Sequence, residues 1–425
     1  STSALFVLDN VTGQHAVRGN FRYGGANTSN CTTSGYDDRD DVAFQVTRGG
    51  ISSCTAIVSP GSYRVERNLR GNTSYATYNF CLGIGVSNVH LDCAGYSVTG
   101  NESTGTIYGV LVRTGIQNVT VTNCIVSNYT YGIGFESVSY GTLYGNTAHN
   151  NSQYGFYVTG GSGNRMIDNI AFNNTGTSTS DGFRLQNIDN LYARNNTAYW
   201  NRGYGFYIIW PSAGGNSFIN NNAINNSYGF YHNGNGGLTR LYGTNFQGNT
   251  AINNTNDGFY FEYTENNTFV NNTAHLNKRY GVYFYAYCRN TVISDNFAYN
   301  NSQSAFRLVG TSSSRANNAT FSNNRAYNDT QYGFYLDYVE NSTFTNNTAY
   351  INRYDGFYIY NSRWNAFNQN NVSNNSVGST AYSGFRIQSS TDNNFTNNFA
   401  LGNTNAFYPY TSDRLNFVGN TVLEQ

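Results

Sequence analysis

"NSTFTNNTAYINRYDGFYIY", Asn341 to Tyr360, sets Phe344 three residues before Asn347, and runs Gly356, Phe357 and Tyr358 in succession. The glycine of this motif recurs at Gly132, Gly155, Gly182, Gly205, Gly229, Gly258, Gly281, Gly333, Gly356 and Gly384, with Ala305 and Ala406 standing in twice. The commonest spacing is about 23 residues, and a fixed period of that length marks a solenoid in which each repeat is one coil. Within a coil the pattern alternates every two residues, as in a strand. Phe156 to Phe407 form one inward column directly after the glycine, and Val121 to Phe417 form a second. Three residues beyond the second column stands an amide, from Asn146 to Asn420. A further column runs from Asn151 to Asn403, with Asp329 as its one departure. Amides stacked at about 4.8 Å can donate to one coil and accept from the other, and Asn tolerates the left-handed conformation that bends a chain. The coil is therefore expected to turn at two amide-lined corners.

Short strands, tight turns and this period predict an all-β chain: a single-stranded parallel β-helix of about 23 residues per coil. A propeller blade needs about 40 residues, and leucine-rich spacing is absent. About a dozen clear coils from Val121 onward predict a length of roughly 60 Å. The composition agrees. The 425 residues include 38 Tyr, 28 Phe and 45 Gly, only 3 Pro, and 11% charged residues. With 16% aromatics the chain is no disordered polymer. A formal net charge of zero argues against nucleic acid or an anionic membrane as partner. No apolar run reaches the roughly 20 residues of a membrane span, and "STSALFVLDN" has no signal-peptide pattern, so the chain reads as a mature form.

The amide columns, the glycine-led strand, and "NVHLDCAGYSVTG" followed by "NVTVTNCIVSNYTYGIGF" resemble the right-handed parallel β-helix repeats of the CASH or NosD-like type. The resemblance covers residues 80–425, leaving 1–79 as an expected N-terminal cap or irregular β segment. It implies a fold shared by lyases, hydrolases, metal-delivery factors and structural proteins of archaeal and bacterial surfaces, so function has to come from the residues.

Six cysteines allow fifteen pairings. Cys93 and Cys124 share a phase in adjacent coils, close enough for a disulfide, and Cys54 with Cys81 is the second expected pair. Cys31 and Cys288 remain, as an inter-subunit disulfide or as free buried thiols. No Cys or His spacing suggests zinc, so no metal site is expected there. Asp37, Asp38, Asp40 and Asp41 could supply oxygens to Ca²⁺, but they lack a calcium loop's glycine and spacing, and a solvated loop is the plainer reading. Roughly twenty N-x-S/T sequons, among them Asn118, Asn195, Asn271 and Asn346, fit a secreted glycoprotein; an Asn- and Thr-rich repeat also produces them by chance.

Catalysis by paired carboxylates needs them about 5 to 10 Å apart. Glu262 and Glu265 form one local pair. Asp337 and Glu340 share its phases three coils on, about 14 Å away and too far to cooperate. Asp181, Asp257 and Asp355 precede the glycine and read as turn residues. No nucleophile motif or phosphate loop is present, and the chain is expected not to be an enzyme. The outward column two residues after the glycine is more informative: Tyr157, Arg184, Tyr207, Tyr231, Tyr260, Tyr283, Arg307, Tyr335, Tyr358, Arg386 and Tyr408. Tyrosine and arginine throughout make a contact ribbon for protein or glycan, or else a stiffening ladder that faces solvent. The last coil keeps the repeat to Gln425, and an open strand edge can pair with another chain. The leading expectation is therefore a self-associating subunit of a sheath, surface layer or filament outside the cell. The alternative is a polysaccharide-binding or polysaccharide-cleaving β-helix protein.

Overall fold

A computed structural model describes residues 7–11, 14–18, 47–75, 78–101, 106–176, 179–209, 214–234, 240–375 and 382–423. Two compact units divide the chain, Ser1–Gln45 and Val46–Gln425. In the first, Val7–Val11 pairs antiparallel with Gln14–Arg18. The second is the β-helix, and no helix occurs among the described residues.

Each coil contributes three short strands. In the quoted stretch these are Thr343–Thr345, Thr348–Tyr350 and Phe357–Tyr360. All three pair in parallel with the next coil, Phe344 facing Phe367, Ala349 facing Val372 and Phe357 facing Phe385. Repeated along the chain, they build a front sheet of glycine-led strands, a second sheet of 16 strands and a third of 15. Parallel pairing begins well before residue 80: Thr55–Ile57 lies against Leu82–Ile84, and Gly61–Val65 against Val89–Asp92. The early coils lack the Asn-Asn and Gly-Phe-Tyr signatures, so the period is faint there although the pairing is not.

The interior is made of like residues stacked on like. Phe156, Phe183, Phe206 and Phe230 follow one another with ring centroids 4.8, 4.6 and 4.6 Å apart. Phe344, Phe367 and Phe395 repeat this in the second sheet at 4.9 and 4.8 Å, and Phe417, expected to point inward, stacks on Phe395 at 5.0 Å but is exposed. The third sheet contributes a buried column of small residues, Ala148, Ala171, Ala198 and Ala223 among them. The glycines exist because of it. A Cβ at Gly182 would stand 2.9 Å from both Ala198 Cβ and Asn201 Nδ2, and 2.8 Å from the Gly205 carbonyl oxygen.

The amide columns are buried ladders. Asn221 Nδ2 donates to Asn249 Oδ1 at 3.0 Å and to the Ala193 carbonyl at 3.0 Å, while its Oδ1 accepts from the backbone N–H and Nδ2 of Asn196. Both donors and both lone pairs are thereby used. Two expectations are corrected here. A third ladder exists, with Asn164, Asn216, Asn267, Asn365 and Asn393 buried at the corner between the front and second sheets, so three corners are lined rather than two. The ladder amide is also not the left-handed residue. That conformation falls on its predecessor, as at Asn195 (φ 55°) before Asn196, or Asn346 (φ 54°) before Asn347. The division follows from geometry: the residue that reverses the chain points outward, and the next points in.

Candidate functional site

The outward column of the front sheet is set into the surface. Tyr157, Tyr207, Tyr231, Tyr260, Tyr335 and Tyr358 are half-buried, Tyr283 is buried and Tyr408 is exposed. What covers them is a second column that the sequence reading missed, one residue before the glycine: Tyr131, Tyr154, Tyr204, Tyr228, Tyr280 and Tyr332, with Asp181, Asp257 and Asp355 at the same phase. Rings of the two columns meet over the side-chain-free glycine, Tyr204 with Tyr207 at 4.5 Å, Tyr228 with Tyr231 at 4.9 Å and Tyr280 with Tyr283 at 5.1 Å. The recurrence of tyrosine at that phase was the available signal. Aspartate, serine and asparagine at the remaining positions masked it.

The arginines are inlaid among these rings. Arg184 lies 4.8 Å from the centre of Tyr154 and 4.7 Å from Tyr207. Arg307 lies 4.8, 5.0 and 4.4 Å from Tyr280, Tyr283 and Tyr335 and donates to the Tyr280 hydroxyl at 2.5 Å, and Arg386 lies over Tyr358. A guanidinium held against ring faces keeps its charge while losing much of its freedom to swing.

Beneath the face sit the three aspartates. Asp181 Oδ1 accepts the Tyr204 backbone N–H at 3.0 Å and its Oδ2 meets Arg184 at 3.1 Å. Asp257 Oδ1 accepts the Tyr280 N–H and lies 3.6 Å from Arg279; Asp355 Oδ1 accepts the Ser383 N–H. Burial raises their pKa values to about 7, 6 and 7, with the arginines and backbone donors pulling the other way. These are therefore more than turn residues: each caps the next coil, and Asp181 also steadies a face arginine. Burial likewise lifts the phenols of Tyr154, Tyr283 and Tyr335 to about 12, so they act as neutral hydrogen-bond donors at physiological pH.

The two carboxylates of the local pair take separate partners. Tyr263 turns the chain left-handed between its members (φ 51°). Glu262 accepts from Tyr260 Oη at 2.5 Å, whereas Glu265 pairs with Arg240 at 2.6 Å. Asp337 accepts from Asn361, and Glu340 pairs with Arg363 at 3.0 Å. Cys54 is bonded to Cys81 and Cys93 to Cys124, with Cα atoms 4.4 and 4.7 Å apart. Cys288 is completely buried, and burial pushes its thiol up to about 11, so its proposed use between subunits is withdrawn. Cys31 and the aspartates from Asp37 to Asp41 lie outside the described residues. Asn118, Asn195, Asn271 and Asn346 are exposed corner residues, all left-handed.

Residues 240–424 match the family model described as "Periplasmic copper-binding protein (NosD)", and residues 82–240 match "Right handed beta helix region". The chain is a right-handed β-helix repeat protein of the NosD-like type. No curated protein sequence matches it. Among solved structures, this β-helix protein is similar to the A-module of the Azotobacter vinelandii mannuronan C-5 epimerase AlgE4, with 17% identity, 86% of this chain and 87% of that one covered, and a TM-score of 0.40. It is similar also to the periplasmic alginate epimerase AlgG (13%, 86% and 79%, 0.31) and to pectate lyase Pel9A (17%, 68% and 69%, 0.35). These neighbours are named as epimerases and a lyase, so the expectation that the chain is not an enzyme is withdrawn. At such identities the likeness concerns the fold and carries no activity across.

Copper does not fit the donors present among the described residues. No group of three His, Cys, Asp or Glu side chains converges among the described residues. His149 and His275 stack on Phe172 and Tyr299, His232 is buried against the Ile208 carbonyl, and the one methionine, Met166, is in the core.

Proposed function

We propose that the front sheet of this β-helix protein binds an acidic polysaccharide. The observation that carries this reading is the inlay of Arg184, Arg307 and Arg386 in two adjoining tyrosine columns on one sheet. A sugar ring offers an apolar C–H face that packs on a phenol ring, and phenol hydroxyls hydrogen-bond its edges. A uronate carboxylate accepts the two parallel N–H bonds that a guanidinium presents. Because parallel coils repeat the same side chains every few ångströms, a polymer meets many such contacts at once, and weak contacts sum along its length. Two disulfides favour an oxidising compartment outside the cytoplasm, where such polymers are found.

Titration calorimetry with polygalacturonate, alginate and a neutral glucan tests the reading. Binding is expected for the two acidic polymers, weakening with salt and falling about tenfold in Arg307→Gln, the scale of one charge-assisted hydrogen bond. Equal binding of the neutral glucan, or affinity indifferent to Arg184→Gln and Arg307→Gln, would sink it. New unsaturated or reducing ends in the same incubations would add cleavage to binding. Self-association that buries the tyrosines without any polysaccharide affinity would favour the assembly-subunit reading instead.

A further inference from the structure

The sequons acquire a geometry once the two jobs of the Asn-Asn corner are separated. The ladder asparagine at the corner between the second and third sheets has alanine two residues on in most coils and valine in the others, so it heads no sequon. Its left-handed predecessor does so in three coils, where the corner reads Asn-Asn-Thr. Asn195, Asn271 and Asn346 are the sequon asparagines of this corner. Each is exposed, with φ of 55°, 55° and 54°, beside a ladder partner that is almost wholly buried.

Their register is regular. Between Asn195 and Asn271 the corner positions are Asn220 and Gly248, and between Asn271 and Asn346 they are Asp295 and Asn323, none of which begins a sequon. Acceptors therefore fall on every third coil, about 14 Å apart at the usual strand spacing. The corner that follows the third sheet is different. Its sequons fall mostly in adjoining coils, Asn128, Asn150 and Asn173, then Asn225 with Asn253 and Asn300 with Asn328, about 5 Å apart, where attached sugars would collide, and Asn374 alone has no sequon beside it.

We propose that Asn195, Asn271 and Asn346 carry N-linked glycans, one file along the corner between the second and third sheets. In the reaction the Asn Nδ2 forms a bond to the anomeric carbon of a sugar carried on a lipid phosphate or pyrophosphate. The phosphate leaves with the bonding electrons, and Nδ2 gives up one proton. The hydrogen that stays on nitrogen can preserve the one side-chain bond involved, Asn346 Nδ2 to Asn323 Oδ1 at 2.8 Å. The file lies away from the front sheet and leaves the tyrosine and arginine columns clear.

The test is peptide mass spectrometry of the chain purified from the cells that naturally make it. Glycan mass is expected on the peptides holding Asn195, Asn271 and Asn346. The variant Thr197→Ala/Thr273→Ala/Thr348→Ala, made in the same cells, is expected to lose three glycan masses while its circular dichroism is unchanged. Unmodified asparagine at all three positions would overturn the proposal, as would glycans confined to Asn128, Asn150 and Asn173.

Discussion

Asp329 is a carboxylate in a column of amides. Its Oδ1 accepts the backbone N–H and Nδ2 of Asn301 at 2.8 and 2.9 Å, as an asparagine there would, but its Oδ2 has no partner and cannot donate onward while ionised. Burial raises its pKa well above the ordinary carboxylate value, so the native state holds a proton that the unfolded chain releases. Where the native state binds more protons, stability falls as pH rises. Here the loss begins near the ordinary value of 3.8 and continues through the native pKa, and Asp181, Asp257 and Asp355 add losses of the same sign up to about 7, 6 and 7. Asp329→Asn supplies a permanent donor to Asn352. Thermal melts are expected to show the variant equal to the parent at pH 3.5 and more stable at pH 8, by about 1 to 3 kcal/mol. A parent–variant difference independent of pH would contradict this account.

At the scale of the corner, adjacent asparagines have opposite sensitivities. Asn221 makes four buried hydrogen bonds, so Asn221→Ala strands donors and acceptors in the coils on either side and is expected to cost at least about 2 kcal/mol in denaturant melts. Asn220 is there for its left-handed backbone (φ 53°), which glycine adopts freely, so Asn220→Gly is expected to change stability by less than about 0.5 kcal/mol. Equal costs would mean that the ladder contributes nothing beyond the turn. This distinction shows how far the sequence could be read. The inward phenylalanines and two amide columns followed from period alone, because a repeated local pattern forces repeated positions. The third ladder escaped notice because Leu191, Thr244, Thr291, Ala319 and Ser342 interrupt it, and only the closed coil puts those positions in line with Asn164 and Asn365.

In the whole β-helix, contacts run between neighbouring coils, so stability adds up coil by coil and disruption stays local. The disulfides join the early coils only, across sequence separations of 27 and 31 residues. Reduction is expected to lower the local stability of the coils around residues 54–124 by about 3 to 4 kcal/mol per bridge, the cost of opening loops of that length. Hydrogen exchange should then quicken there while protection around Phe344 and Phe367 is kept. Uniform loss of protection would show that the unit unfolds as one body.

Period, strand phase and the adjacency of Cys93 with Cys124 were present in the amino-acid order, because a solenoid repeats its sequence wherever it repeats its structure. The tertiary structure decided what depends on neighbouring coils. Tyr204 rests on Tyr207 and Tyr231, Arg307 among three rings, Asp181 beneath Arg184, Cys288 in the core and Asn195 outside. Burial is set by side chains one coil away, and no residue carries that information by itself.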